Sequence, residues 1–280
     1  MALTKLQTRV LRAIAQNRSP DSHVAGGTAL TARSPRISKD IDIFHDAQEG
    51  VEQSVRRDVA SLEKAGLSLE VTPRGKSFVE GVVKDEHGDE VKIEWAQDSA
   101  VRFFPAIADE VFGYRLQELD LAVNKVLAMA GRREPRDYYD VVRLHQQGIP
   151  LAALVWAAPA KDPGFTPELL LDEINRNSNY PDDQLRADID APDLPSPREL
   201  KQVLIDASRQ ARDLFARLPL DQVGYLYLDR NGRAVLPDPE GVREGRLTLH
   251  GAALRGALPQ LSPGPSAAEA KPAPRRRPRP

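Results

Sequence analysis

The chain has 280 residues, enough for one large domain or two modest ones, of which 41% are hydrophobic and 29% charged. A formal net charge of -2 excludes a global basic field for nucleic acid, and the absence of cysteine excludes disulfides and thiolate metal sites. No signal-peptide core opens the chain and no run of about 18 apolar residues marks a membrane span, so a cytoplasmic protein without membrane contact is expected.

Residues 3–16 carry Leu3, Leu6, Val10, Leu11 and Ile14 at helical spacing. A short strand over 22–25 ends at Gly26-Gly27, and 28–33 reads as the first turns of a helix, whose leading N–H groups suit an anion. Ser34-Pro35-Arg36 breaks that helix. The stretch Ser38-Lys39-Asp40-Ile41-Asp42-Ile43-Phe44 then alternates polar and apolar residues as a strand does. Residues 51–65 form an amphipathic helix closed by Gly66, followed by strands over 67–72, 78–84 and 90–95, the last two joined by a hairpin turn at 85–89. A short strand over 112–116 precedes helices over 117–132 and from 137 onward, then over 151–158 and 168–175. Residues 178–197 are polar and proline-dotted and read as a linker, 197–218 as a helix, and Asn231-Gly232 as the turn of a hairpin between 225–228 and 233–236. From 262 the chain is rich in Pro, Ala and Arg and is expected to be disordered. The expected organisation is a core over 1–116, a helical region over 117–220, a small hairpin-containing segment over 221–261 and a tail over 262–280.

The chemistry concentrates early. Asp40 and Asp42 share one strand face about 7 Å apart, with Ile41 and Ile43 turned to the core. Two carboxylates beside a glycine turn make a divalent-metal platform with a phosphate cradle, the arrangement a nucleotidyltransferase needs. Glu94 alternates with Ile93 and Trp95 on a neighbouring strand and is the candidate third carboxylate. Taken alone, Glu94 also fits the outer face of a strand, and an Asp-Ile-Asp strand also fits an exposed edge. Lys125 lies mid-helix among apolar residues, either snorkelling from the helix edge or reaching a triphosphate. Asp137 and Asp140 share a helix face, which also fits salt bridges to Arg136 or Arg143. The five histidines have no metal-ligand spacing, and no Walker A loop, Gly-x-Gly-x-x-Gly or Gly-x-Ser-x-Gly motif is present.

Gly26-Gly27-Thr28-Ala29-Leu30, then Arg33, then Ser38-Lys39-Asp40-Ile41-Asp42-Ile43-Phe44 resembles the opening motif of the AbiEii/AbiGii family of nucleotidyltransferases, the toxins of type IV toxin–antitoxin and abortive-infection systems. Lys125, then Arg132 or Arg133, then Arg136-Asp137-Tyr138-Tyr139-Asp140-Val141 resembles that family's second signature. The two cover residues from about 20 to 145. The resemblance implies an α/β (α+β), polymerase-β-like core with a mixed sheet flanked by helices and a mainly helical C-terminal region. It implies that Asp40 and Asp42 hold Mg2+, that Lys125 meets the phosphates of an NTP, and that Asp137 completes the site. Glu94 joins this set by its position on a strand, as a metal ligand or the group that takes the acceptor's proton. Gly26, Gly27, Thr28 and Ser38 are the candidate cradle for the triphosphate. The expected partners are an NTP, a tRNA acceptor and a cognate antitoxin. Two other readings keep this scaffold: modification of a small molecule such as an antibiotic, and a non-catalytic module that binds a nucleotide or a partner.

Overall fold

The computed structural model describes residues 3–30, 36–73, 75–191 and 194–260. Arg33 of the first motif and the tail over 262–280 lie outside them. The elements begin with α1 (Lys5–Ile14), β1 (Ser22–Ala25), α2 (Gly26–Ala29), β2 (Asp40–His45) and α3 (Gln48–Lys64). Next come β3 (Ser68–Pro73), β4 (Phe78–Lys84), β5 (Glu90–Gln97), β6 (Val101–Arg102), β7 (Ile107–Asp109) and β8 (Gly113–Arg115). Helices then dominate: α4 (Glu118–Gly131), α5 (Pro135–Gln146), α6 (Leu151–Ala157), α7 (Pro167–Asn177), α8 (Asp182–Asp188) and α9 (Pro197–Phe215). The last described elements are β9 (Tyr225–Leu228), α10 (Pro239–Arg243), β10 (Thr248–Gly251) and β11 (Ala253–Leu254). This is the expected mixed sheet flanked by helices, with a mainly helical region after it.

Seven strands make the main sheet, in the order β3-β4-β5-β2-β1-β8-β7. Strand β2 lies in the middle, parallel to β5 and antiparallel to β1. Its alternation decides both faces at once. Ile41 and Ile43 are wholly buried, as are Ile93 and Trp95 of β5, which pair with them in register. That face packs on α3, where Asp58 accepts a hydrogen bond from Trp95 Nε1 at 2.7 Å. Asp58 is itself paired with buried Arg18 at 2.6 Å, so an ion pair with no exposed side chain ties α3 to the chain before β1. Asp40, Asp42 and Phe44 therefore point to the opposite face, toward α4.

Local signals start the helices. Thr4 and Gln7 form a capping box on α1, and Gln7 Nε2 also donates to Ser38 O at 2.5 Å, which fixes the chain entering β2. Ser196 and Glu199 form the same box on α9, with Pro197 in its first turn. One hydrophobic cluster runs from the sheet through α4 to α9 and on to β9.

Three expectations are corrected. The helix after the glycine pair is, among the described residues, a single turn, Gly26–Ala29, too short to present a helix dipole, while 31–33 of the expected helix and its break at Ser34-Pro35 lie outside them. The stretch 178–197 contains α8, which a sequence reading misses because its seven residues are mostly charged and one apolar side chain, Leu185, anchors it. The Asn-Gly turn forms, with Gly232 at φ +74°, but 233–236 makes only one bridge, Leu228 to Ala234. The ladder partner of β9 is β10, because Pro237 and Pro239 stop the returning limb from extending.

Candidate active site

The candidate site is a cleft of about 410 Å³ between the polar face of β2 and β5 and helix α4, within the usual range for small-molecule sites. Gly26, Gly27, Asp42, Glu94, Lys125 and Arg132 line it. Asp42 and Glu94 are register partners on adjacent parallel strands, about 4.8 Å apart at the backbone. Burial and the neighbouring Glu94 charge push the Asp42 carboxyl up to about 6, with Lys125 only partly opposing them.

Gly26 makes room for this carboxylate. Its φ is +63°, and a Cβ there would fall 1.7 Å from Asp42 Oδ2. Gly27 is hemmed in as well: a Cβ would stand 2.6 Å from Arg36 Nη2 and 2.9 Å from Ser38 Oγ. Ser38 is buried beside this turn, with Oγ 3.4 Å from Asp40 O. Thr28 is fully buried and its hydroxyl donates to Asp40 O, so its side chain pins the glycine turn to β2.

Asp40 is near Asp42 but engaged elsewhere: Arg136 Nη1 lies 3.0 Å from its Oδ2. Glu94 Oε1 is 2.5 Å from Lys92 Nζ, which also lies 3.4 Å from Glu80. Among the described residues no group of three or more His, Asp and Glu is close enough to hold a metal as it stands. The donor chemistry nonetheless fits a hard cation: Asp42 and Glu94 line the cleft as register partners, Asp40 lies two residues before Asp42 on the same strand face, and Asp42 makes no salt bridge among the described residues. The cations on the other two, Arg136 and Lys92, are partly exposed and able to swing away.

Lys125 reaches the cleft from α4 and is held by two carboxylates of α5, Asp137 at 2.8 Å and Asp140 at 3.0 Å. Burial alone would lower its pKa, but Asp140 and Asp137 outweigh burial and hold it above the usual lysine value. Burial works against the charged forms of Asp137 and Asp140 too. Lys125 and Arg132 overcome it at Asp137, and Lys125 and Arg36 at Asp140, so both carboxyls stay below the ordinary range. The salt bridges expected from Arg136 or Arg143 are replaced by this internal network, built across residues far apart in the chain. Arg36 Nε and Nη2 donate to the two oxygens of Asp140 at 2.8 and 2.6 Å. Its Nη1 is buried without a hydrogen-bond partner among the described residues.

One alternative left by the sequence ends here, and one residue it passed over enters the site. Arg132 lines the cleft and pairs with Asp137 at 2.8 Å, whereas Arg133 turns away, donating to Asn179 O and lying over the Tyr180 ring at 5.3 Å. Arg36, read from sequence as part of a helix break, is a member of the network. Its partner is 104 positions away, so nothing local marks it; its place four residues before Asp40 is the one hint.

The model of the family described as "Nucleotidyl transferase AbiEii toxin, Type IV TA system" matches residues 9–204. The chain belongs to the AbiEii nucleotidyltransferase toxin family. That match spans both motifs and ends inside α9, so helices α6–α8 and the start of α9 are part of the AbiEii unit, beyond the 20–145 reach of the motifs themselves. Among curated proteins none matches the sequence significantly. Among solved structures the chain is similar to MenT4, a nucleotidyltransferase toxin from Mycobacterium tuberculosis H37Rv, at 15% identity and a TM-score of 0.42, over 72% of this chain and 91% of that one. No helix among the described residues of this AbiEii member is long and apolar enough to cross a membrane.

Proposed function

We propose that this protein transfers a nucleotide from an NTP to an acceptor hydroxyl, with Mg2+ held by Asp42, Asp40 and Glu94, and that the acceptor is tRNA. The observation that carries the reading is the register pairing of Asp42 with Glu94 in a cleft that Lys125 enters from the other side. Bound magnesium would neutralise phosphate charge and favour loss of pyrophosphate. The chain's own residues do the rest. Gly26 and Gly27 let phosphate approach the backbone, and Arg36 Nη2 and the Ser38 hydroxyl border the same turn. Lys125 offsets phosphate charge, and Asp137 is a positioning residue that holds Lys125 and Arg132. The acceptor oxygen attacks the α-phosphorus, the bond to the β-phosphate breaks, and the acceptor's proton passes to a carboxylate of this set, Glu94 being placed to take it.

A basic lip supports a polyanionic acceptor. Lys39 and Arg132 are exposed, and Arg136 is partly so, all on the segments flanking Asp40 or Asp137. A small cationic drug would meet repulsion there. The cytoplasm and a cognate antitoxin complete the proposed setting, and the break at residue 116 is proposed as functional, since the hydrophobic cluster crosses it.

The test is incubation of purified protein with Mg2+, each radiolabelled NTP in turn and total tRNA, beside the Asp40→Ala/Asp42→Ala double variant. Label on tRNA with the wild type alone supports the proposal, and its yield should fall steeply with salt. Transfer to an aminoglycoside but not to tRNA would favour the small-molecule reading.

A further inference from the structure

The polar face of the sheet is ruled into rows by strand register. Glu80, Glu94 and Asp42 form one row across β4, β5 and β2. The next row, two residues on along β5 and β2, is Phe78, Ala96 and Phe44. Both outer side chains of this second row are aromatic and the one between them is a methyl group. Phe44, Phe78 and Ala96 all line the same cleft as Asp42 and Glu94, and Leu127 of α4 faces them. Both rings are partly exposed, and neither has an aromatic partner among the described residues.

We propose that the slot over Ala96, between Phe44 and Phe78, receives the nucleobase of the NTP by stacking. The proposal rests on the nucleotidyltransferase reading above and adds where the base lies. The spacing suits it. With strands about 4.8 Å apart, Phe44 and Phe78 stand about 9.6 Å apart at the backbone. A flat base between two rings needs about 7–8 Å, twice a carbon contact of about 3.5–4.0 Å. A larger residue at position 96 would fill that space. The aromatic row is also about 6.7 Å from the carboxylate row, which leaves a ribose between base and phosphates. Stacking recognises the face every base shares, so the slot supplies affinity for nucleosides as a class.

Isothermal titration in Mg2+ buffer with ATP, GTP, CTP, UTP and inorganic tripolyphosphate tests this, using wild type, Ala96→Leu, Phe44→Leu and Asp42→Asn. Thermal melts verify that each variant is folded, and Phe44→Leu keeps apolar bulk should Ala96→Leu fail. The slot predicts that the tightest NTP loses roughly 5- to 150-fold in affinity in Ala96→Leu and Phe44→Leu. Tripolyphosphate should bind those variants as it binds the wild type. NTP affinity unchanged within twofold in Phe44→Leu overturns the slot. Wild type that binds tripolyphosphate as tightly as every NTP also overturns it, while leaving the carboxylate site standing provided Asp42→Asn changes tripolyphosphate binding. Wild type that binds neither kind of ligand overturns both readings.

Discussion

Asp42→Asn should stabilise the metal-free protein while abolishing its activity. The folded chain holds this carboxyl at about 6, above the ordinary aspartate value of about 3.8, because burial and Glu94 disfavour its charge. A folded-state pKa above the unfolded one means the native state binds the proton more tightly. Stability is therefore lost as pH rises from about 4 to 6 and stays lost above that. That rise corresponds to about 3 kcal/mol at most, and water in the open cleft should leave ~1.5 kcal/mol. The amide has the same shape and no charge, so it escapes the penalty. In scanning calorimetry with EDTA at pH 8 the variant should melt roughly 3–6 °C above wild type. The gap should close toward pH 4, where the wild-type carboxyl is protonated. Adding Mg2+ should raise the wild type more than the variant, and nucleotide transfer by the variant should drop at least ~100-fold. A variant that melts at or below wild type at pH 8 in EDTA refutes the argument that this carboxylate is loaded against the fold.

Other outcomes follow from the same geometry. Gly26→Ala meets Asp42 Oδ2 and a φ of +63°, so it should cost ~1–3 kcal/mol in urea unfolding and remove transfer with it. Asp137→Asn takes a charge from buried Lys125 and Arg132 and should cost ~3 kcal/mol or less, since the amide oxygen still accepts one bond; calorimetry at pH 7 reads it, and an unchanged melting point contradicts the network. Because the folded-state pKa values of Asp137 and Asp140 are depressed, their contribution is present above the unfolded value of about 3.8 and disappears as pH falls below it, which an acid titration followed by circular dichroism will show. Arg136→Ala frees Asp40 of a 3.0 Å ion pair and should tighten Mg2+ binding to the nucleotide-free protein in calorimetric titration; weaker binding would mean that Arg136 supports the site.

The sequence by itself determined whatever depends on neighbours along the chain. Alternation in Asp40-Ile41-Asp42-Ile43 fixed which side chains are buried and which share a face, because strand geometry admits one answer. The same local logic placed β4, β5, α4 and the start of α5 to within two residues, and the motif spacing carried the family. Short elements escaped it: α8 and β10 owe their existence to Leu185 being buried and to β9 needing a partner, which are facts of packing. Tertiary structure alone decided the chemistry of charge. It set Asp40 on Arg136 and Glu94 on Lys92 while leaving Asp42 without an ion pair among the described residues, chose Arg132 over Arg133, and brought Arg36 to Asp140 across 104 positions. Burial and distance set these energies, and neither is written in local order. The aromatic row over Ala96 shows both at once. Phe44 continues the alternation of its own strand, but only the register of three strands makes a slot of it.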